Sequence, residues 1–173
     1  MLAECHRASA EEIRVQVASA LNDKADAGEL TEGAAEKKAT LTQAAGLYAR
    51  VDQLYRENPP TREIDQRYQK LAALRRGDCA YELGRFAEAI GLYEAAASRW
   101  PDDPIALAAC VQTANSYFAL GRGEEAKAAH EQARMLLSRL PRDGAAASGD
   151  MVMPRAYWEQ WFKWSGMAAT PIW

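Results

Sequence analysis

A chain of 173 residues, 49% of them hydrophobic, can bury a core of ordinary size, and its length fits a single domain. Its formal charge of −3, from 21 basic and 24 acidic side chains, comes without a cluster of Lys and Arg and argues against a nucleic-acid surface. No stretch approaches the roughly 18 consecutive apolar residues of a membrane span, so membrane insertion is not expected.

The first ten residues carry Glu4, Cys5, His6 and Arg7 where a signal peptide would have its apolar run. Ser9 and Glu12 then form a Ser-x-x-Glu capping box, which opens an amphipathic helix with Ile13, Val15, Val17, Ala20 and Leu21 that fades near Gly28. Thr31 and Glu32 start a second helix, in which Leu41, Ala44, Tyr48, Val51 and Tyr55 recur at helical spacing until Asn58-Pro59-Pro60. Its segment 44–48 (AAGLY) echoes 89–93 (AIGLY). Residues 1–60 therefore read as a long helix hairpin, a degenerate copy of the helix pairs C-terminal to it.

Helices are expected next at 61–83, 86–100, 104–119 and 123–140. Gly84, the run Pro101-Asp102-Asp103-Pro104, and Gly121-Arg122-Gly123 mark the turns. Gly84 and Gly121 lie 37 positions apart (121 − 84), as do Ala89 and Ala126, Ala96 and Ala133, Tyr81 and Phe118, and Leu74 and Val111. A fixed period of that length signals stacked helix pairs, each unable to bury its apolar side alone. Nothing alternates with period two, so strands are not expected.

Residues 70–103 place Gly77 and Ala80 in the first helix, Gly84 at the turn, Ala89, Tyr93 and Ala96 in the second helix, and Pro101 at its close. Two antiparallel helices approach closely only where small residues face each other, and an aromatic fills the remaining wedge. This order resembles a tetratricopeptide repeat. Residues 107–141 are similar to a second copy, with Ala114 for Gly77, Tyr117 for Ala80, His130 for Tyr93, and a closing Pro141 three residues late. The large aromatic and the Leu usual early in the first helix are Ala73 and Arg76, then Cys110 and Thr113. The resemblance implies an all-α solenoid of antiparallel helix pairs, the N-terminal hairpin supplying the third unit such an array needs.

In that family the concave side is lined by the first helix of each unit. The matching positions here are Leu71, Leu74, Asp78, Tyr81 and Glu82, then Ala108, Val111, Asn115, Phe118 and Ala119. Each set falls on one helical face. Asn115 offers an amide donor and acceptor to a ligand backbone. Members that bind chaperone tails have Lys and Asn where Leu74 and Asp78 stand, so a clamp for two carboxylates is absent and the groove suits an apolar or basic segment. The competing reading is that Leu71, Leu74, Val111 and Phe118 pack against residues 9–58.

Residues 142–153 read as a linker. A last helix begins near Pro154 and carries Tyr157, Trp158, Trp161, Phe162 and Trp164. Tyr157, Trp161 and Trp164 share one stripe, with Trp158 and Phe162 beside it, an apolar arc too wide to leave wet. We expect this helix to cap the open end of the array. Docking on a partner is the alternative, and the absence of a basic face argues against a membrane surface.

Cys5, Cys79 and Cys110 have no metal-ligand spacing, and Cys79 and Cys110 read as buried thiols rather than a disulfide. Of two histidines, His6 lies near the start and His130 replaces a packing aromatic. No phosphate loop, nucleophile elbow or zinc-protease motif occurs, so neither catalysis nor a cofactor is expected. The resemblance implies a protein-interaction or assembly module. Its rival is a structural or oligomerisation element at the C-terminal end of a larger protein, since Pro171-Ile172-Trp173 reads as an unfinished end. The 37-residue spacing is also similar to that of repeat modules in bacterial cell-envelope assembly proteins. That would place the chain at the envelope if it is part of an exported protein, and in the cytoplasm by default.

Overall fold

A computed structural model describes residues 27–140, 153 and 155–165. The expected helix at 9–28, with Cys5, His6 and the Ser9/Glu12 box, lies outside the described residues, as does most of the 142–153 linker. Among the described residues six helices occur in chain order: α1 Ala27–Glu57, α2 Glu63–Glu82, α3 Phe86–Arg99, α4 Pro104–Ala119, α5 Gly123–Arg139 and α6 Arg155–Ser165. Among the described residues there is no strand. The chain forms two compact units, residues 1–92 and 93–173.

In the first unit α1 packs on α2. Leu41, Ala44 and Tyr48, at i, i+3 and i+7, bury one stripe against Ala72 and Cys79, with Val51 and Leu83 at the margin. The helix starts at Ala27, earlier than the Thr31/Glu32 signal, and runs through Gly28 and Gly33. Each glycine in a helix interior costs about 1 kcal/mol relative to alanine. A continuous 31-residue helix with one buried stripe absorbs that cost. Asn58-Pro59-Pro60 ends it, and the carbonyls near the turn find side-chain donors: Gln69 Nε2 donates to Tyr55 O at 3.3 Å and Gln66 Nε2 to Pro60 O at 3.2 Å.

The 37-residue period reappears as the same hydrogen bonds made twice. After α2, Gly84 N–H donates to Tyr81 O (2.9 Å) and Arg85 N–H to Ala80 O (2.9 Å). After α4, Gly121 N–H donates to Phe118 O (2.8 Å) and Arg122 N–H to Tyr117 O (2.9 Å). Both glycines have φ of 73°. This is the Schellman arrangement, in which a left-handed residue after the helix lets two backward N–H groups satisfy carbonyls left open at its end. Arg85 reaches Glu88 at 3.7 Å and Arg122 reaches Glu125 at 2.8 Å, so even the ion pair opening the next helix recurs.

In the second unit α4 packs on α5. Asp103 caps α4 by accepting the Ile105 N–H at 3.0 Å, and Pro104 takes the first turn, where its missing N–H is not needed. Helix α4 is buried almost all round, from Ile105 to Val111. Its buried hydroxyls turn back on the helix, Thr113 Oγ1 to Ala109 O and Ser116 Oγ to Gln112 O. Helix α5 buries Ala129, Ala133 and Leu137 at i, i+4 and i+8. Ala44, Ala89 and Ala133 are each 0% exposed, and Tyr48 and Tyr93 are buried beside their alanines in sequence.

Helix α6 packs against α5. Its Arg155 Nη1 donates to Leu137 O (2.9 Å) and Leu140 O (2.6 Å), the open carbonyls at the end of α5. The inward side chains are Trp158 and Phe162, both buried, whereas Trp161 is half-buried and Tyr157 exposed. Of the stripe marked by sequence, Tyr157 faces water and Trp161 only partly packs. The flanking pair supplies the contact.

Candidate functional site

The sequence-marked positions divide between the two units. On α2, Leu71, Leu74 and Asp78 are buried and Tyr81 and Glu82 half-buried. Arg75 Nη1 bonds the Asp78 carboxylate at 3.0 Å, one turn away on the same helix. Tyr81 meets Phe86 edge-on, ring centroids 5.2 Å apart, across the Gly84 turn. On α4, Ala108 and Val111 are buried, Asn115 is half-buried, and Phe118 and Ala119 are exposed, Phe118 by 48%. The Asn115 amide Nδ2 donates to Gln112 Oε1 at 3.0 Å, while its Oδ1 has no hydrogen-bond partner. The face on α4 thus grades from core at Val111 to open surface at Phe118.

The opposite side of α4 carries a feature that sequence reasoning missed. A cleft of about 420 Å³ runs between the end of α3, α4 and α5, with Ala106, Cys110, Thr113 and Tyr117 of α4 on its wall. At 100° per residue these four lie roughly half a turn round the helix from Val111, Asn115 and Phe118. Ala97, Ala128 and Ala129 keep the cleft open because they are too small to fill it. Glu94 and Glu125 also line it. Tyr117 Oη donates to Glu94 at 3.2 Å, and the Arg122 guanidinium, which also lies over the Tyr117 ring, pairs with Glu125. That pair holds the Glu125 carboxyl below its ordinary range. In the cleft wall, burial first and the Glu94 charge second push the Cys110 thiol up to about 11, so it is protonated and poorly nucleophilic at neutral pH.

The other titratable groups point to packing rather than chemistry. His130 meets Phe162 edge-on, ring centroids 5.0 Å apart, and Trp161 at a tilt at 5.5 Å, and burial depresses its pKa. Cys79 and Cys110 are both buried thiols. Among the described residues no three His, Cys, Asp or Glu side chains gather as metal ligands, and no helix is long and apolar enough to cross a membrane.

The duplicated glycine turns, the alanine seams and the helix pairing agree with a comparison against protein families. Residues 80–135 match the tetratricopeptide repeat model. This segment is similar to tetratricopeptide repeats. The match spans the end of α2, all of α3 and α4, and most of α5, so it takes in both Schellman turns and all of the cleft lining but Leu136. Comparisons with curated proteins and with solved structures returned no match. Tetratricopeptide repeats are protein-interaction elements, and the all-helical architecture agrees with that class.

Proposed function

We propose that the chain is a protein-interaction module whose tetratricopeptide-like first helices hold an apolar or basic segment of a partner. The observation that carries this reading is the surface of α4, where Phe118 stands 48% exposed one turn beyond the half-buried Asn115. The exposed aromatic offers contact area to an apolar segment, and Asn115 Oδ1, buried just beside it without a hydrogen-bond partner, is an acceptor that a ligand N–H satisfies once it displaces the covering side chains. The family match supports the general role, and Tyr81 and Glu82 hold the corresponding positions on α2. An array of random 15-residue peptides probed with the purified chain tests it. Bound peptides should be enriched in apolar and basic residues, and Phe118→Ala with Asn115→Ala should lose them while Ala128→Trp, which fills the cleft, keeps them. Loss on Ala128→Trp alone would move the site to the cleft, and no enrichment would reject the reading.

A second reading is an oligomerisation element. It is favoured by Leu54, Ile64 and Tyr68, which are 55%, 44% and 42% exposed at the end of the first unit where α1 turns into α2. Light scattering after size exclusion would show a dimer that dissociates on Ile64→Glu.

A further inference from the structure

A recess of about 370 Å³ between α5 and α6 is lined by Arg134, Arg155 and Lys163 above a floor that includes Leu137 and Phe162. Three cations around one hollow are unexpected in a chain of net charge −3. The carboxylate that lines it, Glu159, is already taken by Arg155 Nε at 2.7 Å. Arg155 Nη1 is spent on the carbonyls of α5, which leaves its Nη2 donors without a hydrogen bond among the described residues. The Arg155 side chain is only 17% exposed, so packing fixes it rather than leaving it to sweep through solvent. Arg134 has only a loose partner, Glu131 at 3.7 Å, and Lys163 forms no ion pair among the described residues. The recess therefore holds cationic donors in excess of the acceptors that face them.

We propose that this recess is an oxyanion site that receives the acidic or phosphorylated side chain of a protein partner. The Nη2 of this fixed guanidinium keeps two N–H donors for the oxygens of a carboxylate or phosphate, and two mobile cations at the rim close on the remaining oxygens. The apolar floor of Leu137 and Phe162 suits a side-chain stem below the charged head. A membrane surface is the poorer occupant, because Glu159 and Gln160 share the exposed side of α6 with Lys163 and no basic face forms. The site is separate from the surface of α4 proposed above and stands or falls independently of it.

Backbone amide resonances followed by nuclear magnetic resonance test the assignment on the full chain. Inorganic phosphate and phenyl phosphate are titrated at constant ionic strength against chloride, because exposed charges are screened by salt. Saturable shifts should concentrate at residues 134–138 and 159–163, with phenyl phosphate the tighter ligand. Arg134→Gln and Lys163→Gln together should weaken both about tenfold. Both side chains are exposed, so the melting temperature should hold, and each single variant should show a smaller loss. Arg155 is left intact because it also closes α5. Shifts no larger than those with chloride, or equal affinity in the double variant, would overturn the site. Phosphatidylserine vesicles that bind the parent but not the double variant, with no saturable response to phenyl phosphate, would overturn the protein occupant in favour of lipid.

Discussion

Replacing single glycines by alanine separates the backbone role of the repeat from packing. At Gly121 an added Cβ meets nothing within 4 Å, so space is not at issue. What forbids it is the φ of 73°, which crowds Cβ against the next carbonyl at about 1–2 kcal/mol. At Gly91 the Cβ also meets nothing within 4 Å, but the residue sits exposed inside α3, where alanine gains about 0.5–1 kcal/mol. One chemical change should thus act with opposite signs at two sites. With a urea slope of about 2 kcal/mol per M, Gly121→Ala should lower the midpoint by about 0.5–1 M and Gly91→Ala should raise it slightly. All five tryptophans lie at position 100 or later, so their fluorescence reports on the unit that contains Gly121, and circular dichroism reports on both. If Gly121→Ala melted with or above Gly91→Ala, the turn geometry on which the repeat rests would be wrong.

Packing and charge dictate other outcomes. Ala133→Leu should destabilise by about 1–3 kcal/mol, because a fully buried alanine at the helix seam has no room for three more carbons, and chemical denaturation will show whether it does. Trp158→Ala should cost about 3–5 kcal/mol and expose α5, whereas Tyr157→Ala should cost little, a difference readable in the thermal midpoint. His130 is a half-buried base whose folded pKa lies below the ordinary 6.5, so the unfolded chain takes up its proton first. Stability should then be unaffected by this group above 6.5 and fall as pH drops through the interval down to its folded value, and His130→Phe should flatten that part of the profile. Cys110, with its thiol raised to about 11, should resist iodoacetamide at pH 8 until the chain unfolds, as peptide mass spectrometry can track.

Much of this fold was legible because its determinants are local. Gly84, Gly121 and the run from Pro101 to Pro104 announce turns, and the small residues Ala44, Ala89, Ala96 and Ala133 mark seams, each within a few positions of the geometry it dictates. The start of α1 was less legible, because Gly28 reads as a stop only until a long buried stripe outweighs it. The orientation of α6 was hidden for a different reason. Periodicity groups Tyr157 with Trp161 and Trp158 with Phe162, but which pair turns inward is decided by Arg155 finding the carbonyls of Leu137 and Leu140. The cleft beside α4 could not be read at all. Its alanines come from three helices, and in sequence each is an ordinary small residue; only their assembly leaves a space. Of the marked groove positions, Leu71, Leu74, Asp78 and Val111 are buried while Phe118 is open, a gradation that one-face spacing does not encode.

The sharpest test of α4 as a partner-binding surface is a photo-crosslinking side chain placed at position 118 in the cell, with position 135 as the control. Phe118 and Met135 are similarly exposed, at 48% and 53%, but Met135 lies on α5, outside the face marked for binding. Discrete covalent adducts are expected from position 118, diminished by Asn115→Ala, with none of those bands from position 135. The same adducts from both positions, or none from position 118, would be incompatible with a partner-binding face on α4.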